Sequence, residues 1–173
     1  MKFKKILLLI LFIFLFNKTL YSNDFTIKDL INLNTPWGLS FIDENKIIIT
    51  EKNGSIKLFN ISENKIYQIK HNLKISNIGQ GGLLDVLYKN EIVYVSYSEK
   101  LKNNKSSTSI AIATYNNNFL EFKNIFRAEP AIQSGFHFGS RMVLKDDFLY
   151  ASIGERGKGD IAQDPSKHPG SII

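Results

Sequence analysis

The sequence predicts an all-β protein built from a repeated unit of about four short strands, and three observations carry that reading. Past Ser22 no segment sustains a helical period, whereas apolar and polar residues alternate in short runs. Asn, Asp and Gly bound those runs, and these are residues that turns favour. The corresponding turns at Asn45, Asn90 and Asp146 recur roughly every 45 to 55 residues, the spacing of four-stranded β-propeller blades. A meander or sandwich with evenly spaced hairpins shares these features, so periodicity alone leaves both architectures open.

The first unit reads as strands over 39–42, 46–50 and 55–59, with an outer strand over 64–69. Its turns fall at Asp43-Glu44-Asn45 and at Lys52-Asn53-Gly54, where Asn-Gly readily takes up the positive φ of a tight hairpin. The second unit starts at Gly82-Leu83-Leu84-Asp85-Val86-Leu87, turns at Lys89-Asn90 and continues over 92–97 and 109–115. A third opens at Ser140-Arg141-Met142-Val143-Leu144, turns at Lys145-Asp146-Asp147 and runs on over 148–153.

Ahead of these units, Lys2, Lys4 and Lys5 precede an unbroken apolar run over 6–16, the layout of a secretory signal. That run is too short for a hydrocarbon core, which needs about 20 residues. The reading is therefore a signal over 1–22, cut after Ser22, with a mature domain over 23–173 in the periplasm or outside the cell. A retained N-terminal anchor is the alternative. Removing Lys2, Lys4, Lys5 and Lys18 lowers the formal charge from +6 to +2, 18 Lys+Arg against 16 Asp+Glu. No basic stripe remains to meet a nucleic acid, and the lysines of the 100–105 segment read as a solvated loop. Export permits disulfides, yet there is no cysteine, so stability must come from packing or from bound ligands. The 23–173 stretch has room for three units, whereas propellers generally close with four or more blades. The chain is thus expected to be a truncated part of a larger ring, with an apolar blade face and strand edges left open.

Several segments carry candidate chemistry. In Thr35-Pro36-Trp37-Gly38-Leu39-Ser40-Phe41, Pro36 stiffens the approach, Trp37 supplies a large buried surface and Gly38 admits a close neighbour. Gly79-Gln80-Gly81-Gly82 is a loop whose glycines permit close approach while one amide projects from it; a tight turn or an anion nest reads equally well. Gly135-Phe136-His137-Phe138-Gly139-Ser140-Arg141 places a histidine between glycines before a strand, where its near-neutral titration suits acid–base work. Arg141, with Glu155 and Arg156 of Gly154-Glu155-Arg156-Gly157, reads first as an ion-pair network bracing adjacent loops. The 154–160 stretch lacks the Lys-Ser/Thr ending of a phosphate loop, and His71 and His168 default to surface roles.

Taken together, in this order and spacing, these segments resemble the soluble aldose dehydrogenases of the glucose/sorbosone dehydrogenase family. A weaker stretch, Ala162-Gln163-Asp164 through His168-Pro169-Gly170, extends the likeness over nearly all of 23–173. The resemblance implies a six-bladed β-propeller, of which about three blades are present. It implies oxidation of an aldose at its anomeric carbon, with hydride passing to pyrroloquinoline quinone (PQQ) and His137 as the general base. It further implies Gln80 and Arg141 as substrate- or cofactor-binding residues and calcium as a Lewis acid, with metal ligands unassigned. A sugar and an electron acceptor are the implied partners, with no nucleic acid and no stable membrane insertion after processing. Phe136 stands where relatives carry a polar residue, which bears on the sugar contacts. Two other readings stay open: a non-catalytic propeller that binds a partner, and a lactonase-type propeller hydrolase using Glu51 or Glu155 as metal ligands.

Overall fold

The computed structural model describes residues 25–173, and residues 31–173 form one unit. The signal reading over 1–22 lies outside the described residues. Among the described residues, eleven strands and one 3₁₀ turn, Gly159–Gln163, make up the regular structure.

The first blade is a meander of β1 (Pro36–Asp43), β2 (Lys46–Glu51), β3 (Ile56–Asn60) and β4 (Lys65–His71), joined in antiparallel order. The Lys52-Asn53-Gly54 turn is a three-residue loop in which Gly54 N–H reaches Glu51 O at 2.9 Å and Glu51 N–H reaches Ser55 O at 2.9 Å. Gly54 takes a positive φ of 102° and Asn53 does not, so the turn is of the bulged type and not a two-residue Asn-Gly hairpin. The second blade contains β5 (Leu83–Lys89), β6 (Ile92–Lys100), β7 (Ser106–Thr114) and β9 (Lys123–Arg127). Its β5–β6 turn puts Asn90 and Glu91 at φ 51° and 63°, the double left-handed geometry that matches strand twist. A third unit contributes β10 (Gly139–Lys145) and β11 (Phe148–Ile153). Ile172 bridges to Ser152 beside this hairpin, where a third strand would pair. The described residues therefore hold two full four-stranded blades and the inner hairpin of a third.

Between β7 and β9 the chain crosses back to blade one, where β8 (Phe119–Leu120) pairs in parallel with β4. Asn72 secures this crossing with both ends of its amide, donating to Phe122 O at 3.1 Å and accepting from Phe122 N–H at 2.8 Å.

Burial follows from this stacking. The middle strands β2, β6 and β7 are buried in near-continuous runs, as expected where a sheet is covered on both faces, while outer β4 is mostly exposed. One core lies between blades one and two, formed by Ile48, Ile56, Leu58 and Ile69 with Leu83, Val86, Val93 and Val95. A smaller one joins blade two to the third hairpin through Ile110, Met142 and Ala151.

The blades are also joined by a repeated polar contact. Thr50 on β2 donates its hydroxyl to Leu84 O in the next blade, and Ser96 on β6 donates to Ser140 O of the third unit at 2.8 Å. Both hydroxyls are buried, and each also accepts an N–H from the preceding inner strand of its own blade: Gly38 at 3.1 Å for Thr50 and Asp85 at 3.0 Å for Ser96. Ser152 is the matching residue of β11, four positions beyond the strand start as Thr50 and Ser96 are.

Trp37 departs from the sequence expectation. It is 37% exposed, because β1 turns Trp37, Leu39 and Phe41 toward the face that no described strand covers. Gly38 matches its expected role: a Cβ there would sit 3.0 Å from both the Asp85 carboxylate and Val86 N.

Candidate active site

The inner strands β1, β5 and β10 lie side by side, and each carries a register shift near its start, between Pro36 and Gly38, Leu83 and Val86, and Gly139 and Met142. Bulges of this kind re-aim the residues that precede a strand. The two glycine-rich loops leading into β5 and β10 consequently meet. Gly79, at φ 60°, packs against Gly135 so closely that a Cβ would fall 2.4 Å from Gly135 O. Gln80 N–H donates to that same carbonyl at 2.7 Å.

Gln80 and His137 are brought together by this contact. The Gln80 amide oxygen accepts the His137 backbone N–H at 2.8 Å, leaving the amide NH₂ without a partner among the described residues. His137 itself is held in the left-handed region at φ 45°, uncommon for a residue with a side chain. The arrangement is locked from below by Gly154, where a Cβ would lie 2.0 Å from His137 O.

The His137 imidazole meets Glu155: Nδ1 is hydrogen-bonded to the carboxylate, whose Oε1 also accepts Gly157 N–H at 3.0 Å. A carboxylate only accepts, so in the neutral ring Nδ1 carries the proton and Nε2 keeps its lone pair. The hydrogen bond from His137 holds the Glu155 carboxyl below its ordinary range. Both side chains are accessible, 53% and 30% exposed. Phe136 is exposed beside them, its ring 6.1 Å from the imidazole in an edge-on arrangement.

Arg141 lies elsewhere on β10. Its Nη1 donates to Asp85 Oδ1 at 2.9 Å, and Asp85 Oδ2 accepts Met142 N–H at 2.8 Å, so the buried carboxylate clamps the start of β10. The guanidinium side chain is still 69% exposed. It shares a concavity of about 270 Å³ with Trp37, Leu39 and Ile49, separate in lining from the His137 loop.

The expected ion-pair network thus divides three ways. Arg141 pairs with Asp85, Glu155 pairs with His137, and Arg156 bonds only to carbonyls and a hydroxyl. Sequence reasoning named Glu155 as a brace or a metal ligand and passed over Asp85 altogether. Glu51 accepts Asn34 N–H at 2.8 Å and lies 4.0 Å from Lys57. Among the described residues no group of three or more His, Asp or Glu could hold a metal ion.

A sheet-per-unit array whose inner-strand loops present a carboxylate-bonded histidine defines the class: part of a β-propeller with a histidine–glutamate pair at its loop end. Residues 33–173 match the Glucose / Sorbosone dehydrogenase family, and the chain belongs to it. It is 27% identical over 151 residues to an aldose sugar dehydrogenase of Escherichia coli, covering 82% of this chain and 41% of that protein. Among solved structures, a glucose dehydrogenase superposes with a TM-score of 0.77 at 29% identity, covering 82% of this chain and 44% of its own. The soluble aldose sugar dehydrogenase of E. coli in its apo form gives 0.76 at 27%, with the same coverage of 82% and 44%. A PQQ-bound aldose sugar dehydrogenase from Streptomyces coelicolor gives 0.72 at 22%, covering 82% and 44%, and speaks for the fold. The chain spans less than half the length of each of these relatives.

Proposed function

We propose that this chain supplies the general base of a PQQ-dependent dehydrogenase that oxidises aldoses at the anomeric carbon. The observation that carries the reading is the His137–Glu155 pair, held by Gln80 on the loop that leads into β10. Nε2 of His137 takes the proton of the anomeric hydroxyl as the carbon–hydrogen bond breaks, and Glu155 stabilises the imidazolium that forms. Gln80 fixes the backbone of the base through its amide oxygen, and its NH₂ is available to donate to a sugar oxygen.

No protein side chain accepts a hydride, and bound PQQ would supply that two-electron acceptor, with an external electron acceptor as the further partner. The exposed Arg141 guanidinium is suited to a quinone carboxylate. Calcium is implied by the family resemblance; among the described residues no cluster of three or more His, Asp or Glu is placed to hold it. Export to the periplasm or beyond, by way of a signal over 1–22 cut from a 23–173 domain, belongs to the same proposal; no described helix is long and apolar enough to cross a membrane.

Since 23–173 is read as part of a larger ring, whose activity it need not retain by itself, the test is incubation of the full-length propeller with PQQ and calcium, followed by aldose with an artificial electron acceptor. The proposal expects a bound-quinone spectrum and quinone-dependent formation of the lactone. Lactone hydrolysis without quinone, or no quinone spectrum at all, favours the hydrolase or the binding platform instead.

A further inference from the structure

We propose that Arg156 is a positioning residue for His137, holding the 134–138 loop in the shape in which the imidazole meets Glu155. The proposal rests on reading His137 as the base. Arg156 is 2% exposed, yet no carboxylate touches its guanidinium among the described residues. A charge buried without a partner is costly, and side chains carry it where neutral dipoles replace the lost water. Here Nε donates to Phe136 O at 3.0 Å, and Nη2 donates to Ser134 O and to Ser106 Oγ at 3.0 Å. Nη1 donates to Ser106 O at 3.1 Å, tying the loop to the first residue of β7. The guanidinium carbon stacks 3.6 Å from the centroid of the Phe138 ring, and Arg156 N–H donates to His137 O at 3.2 Å.

These contacts bracket His137 from both sides without touching its imidazole. Phe136 and Ser134 are held before it, Phe138 after it, and its own carbonyl between them. Burial pushes the Arg156 pKa down to about 10, so the group keeps its charge at neutral pH. A planar fork can serve several carbonyls and stack on a ring at once; an ammonium on a flexible stem cannot. Arg156→Lys therefore preserves the charge and removes the function assigned here.

The experiment is nitrogen-15 NMR of the histidine side chains in the full chain at mildly alkaline pH. Wild type is expected to show the His137 proton fixed on Nδ1. Arg156→Lys is expected to shift His137 toward the tautomer mixture of a free imidazole and to speed exchange of its Gln80-bound amide about tenfold or more. His71, bonded through Nε2 to Gly54 O, and His168, accepting Glu129 N–H, serve as internal references and should not move. Phe138→Leu keeps the hydrogen-bond acceptors and removes only the stacking face, so a smaller shift in the same direction is expected. A folded Arg156→Lys chain with unchanged His137 signals overturns the proposal. If that variant does not fold, unchanged His137 signals in Phe138→Leu overturn it. Neither readout needs quinone or turnover, so failure of sugar oxidation counts against the proposed function and not against this role of Arg156.

Discussion

At the residue scale the site depends on two backbones pressed together. Because Gly154 lies against His137 O, Gly154→Ala must push the 135–139 loop away, and loss of the His137–Glu155 contact is the expected outcome, visible in the His137 side-chain NMR signals. Glu155→Gln keeps the shape but removes the charge that steadies the imidazolium, and turnover of aldose should fall about 10- to 100-fold. The depressed Glu155 pKa fixes the sign of its pH effect: the carboxylate stays ionised above its ordinary range and somewhat below it, losing its influence only as pH falls through the lowered value. His137 stands out in the sequence as a candidate because glycines flank it in a motif. Its partner does not, since Glu155 reaches it only through the β10–β11 register, which a string of residues does not display. Trp37 was misjudged for a related reason: aromatic size predicts burial, but the face of β1 that carries it has no described neighbour.

At the scale of elements, the hydroxyls of Thr50 and Ser96 latch one blade to the next through buried carbonyls. Thr50→Val and Ser96→Ala each leave a buried carbonyl without its donor and should cost about 1 to 3 kcal/mol, read from denaturant unfolding midpoints. A second device crosses blade two, where Glu99 accepts from Arg127 and Asn124 of β9 and from Ser109 of β7. Burial raises the Glu99 pKa, but the hydrogen bonds from Arg127, Ser109 and Asn124 outweigh it and the net shift is downward. A depressed carboxyl contributes stability that is present above its unfolded pKa of 4.5 and lost as pH falls through the lower folded value. Glu99→Gln should thus cost roughly 1 kcal/mol at neutral pH and flatten the acid limb of the stability curve. The strands rich in buried apolar residues were readable from alternation and turns. The outer strand expected over 64–69 is β4, Lys65–His71, but β8 and β9 were not readable: β8 is two residues long, and β9, with mostly exposed residues over Lys123–Arg127, has no apolar stripe to announce it.

At the scale of the whole molecule, the repeat spacing anticipated the stacked sheets, and the motif order anticipated the family. Leu39 and Phe41 on β1 are exposed, as are Val143, Phe148 and Tyr150 on the third hairpin, so apolar surface lies open on the outer sheets at either end of the described array. The export reading makes its own prediction: the secreted protein should have a mature N-terminus near Asn23 by mass spectrometry, whereas an intact Met1 end in the membrane fraction contradicts it. The central claim is that His137 removes the substrate proton. It is tested most directly by aldose oxidation with an artificial electron acceptor in the full-length propeller, comparing wild type with His137→Ala and recording the bound-quinone spectrum of each. The account predicts turnover lower by about 10²- to 10⁴-fold with the quinone spectrum unchanged. Near-normal turnover in His137→Ala, or loss of the quinone along with the histidine, would contradict it.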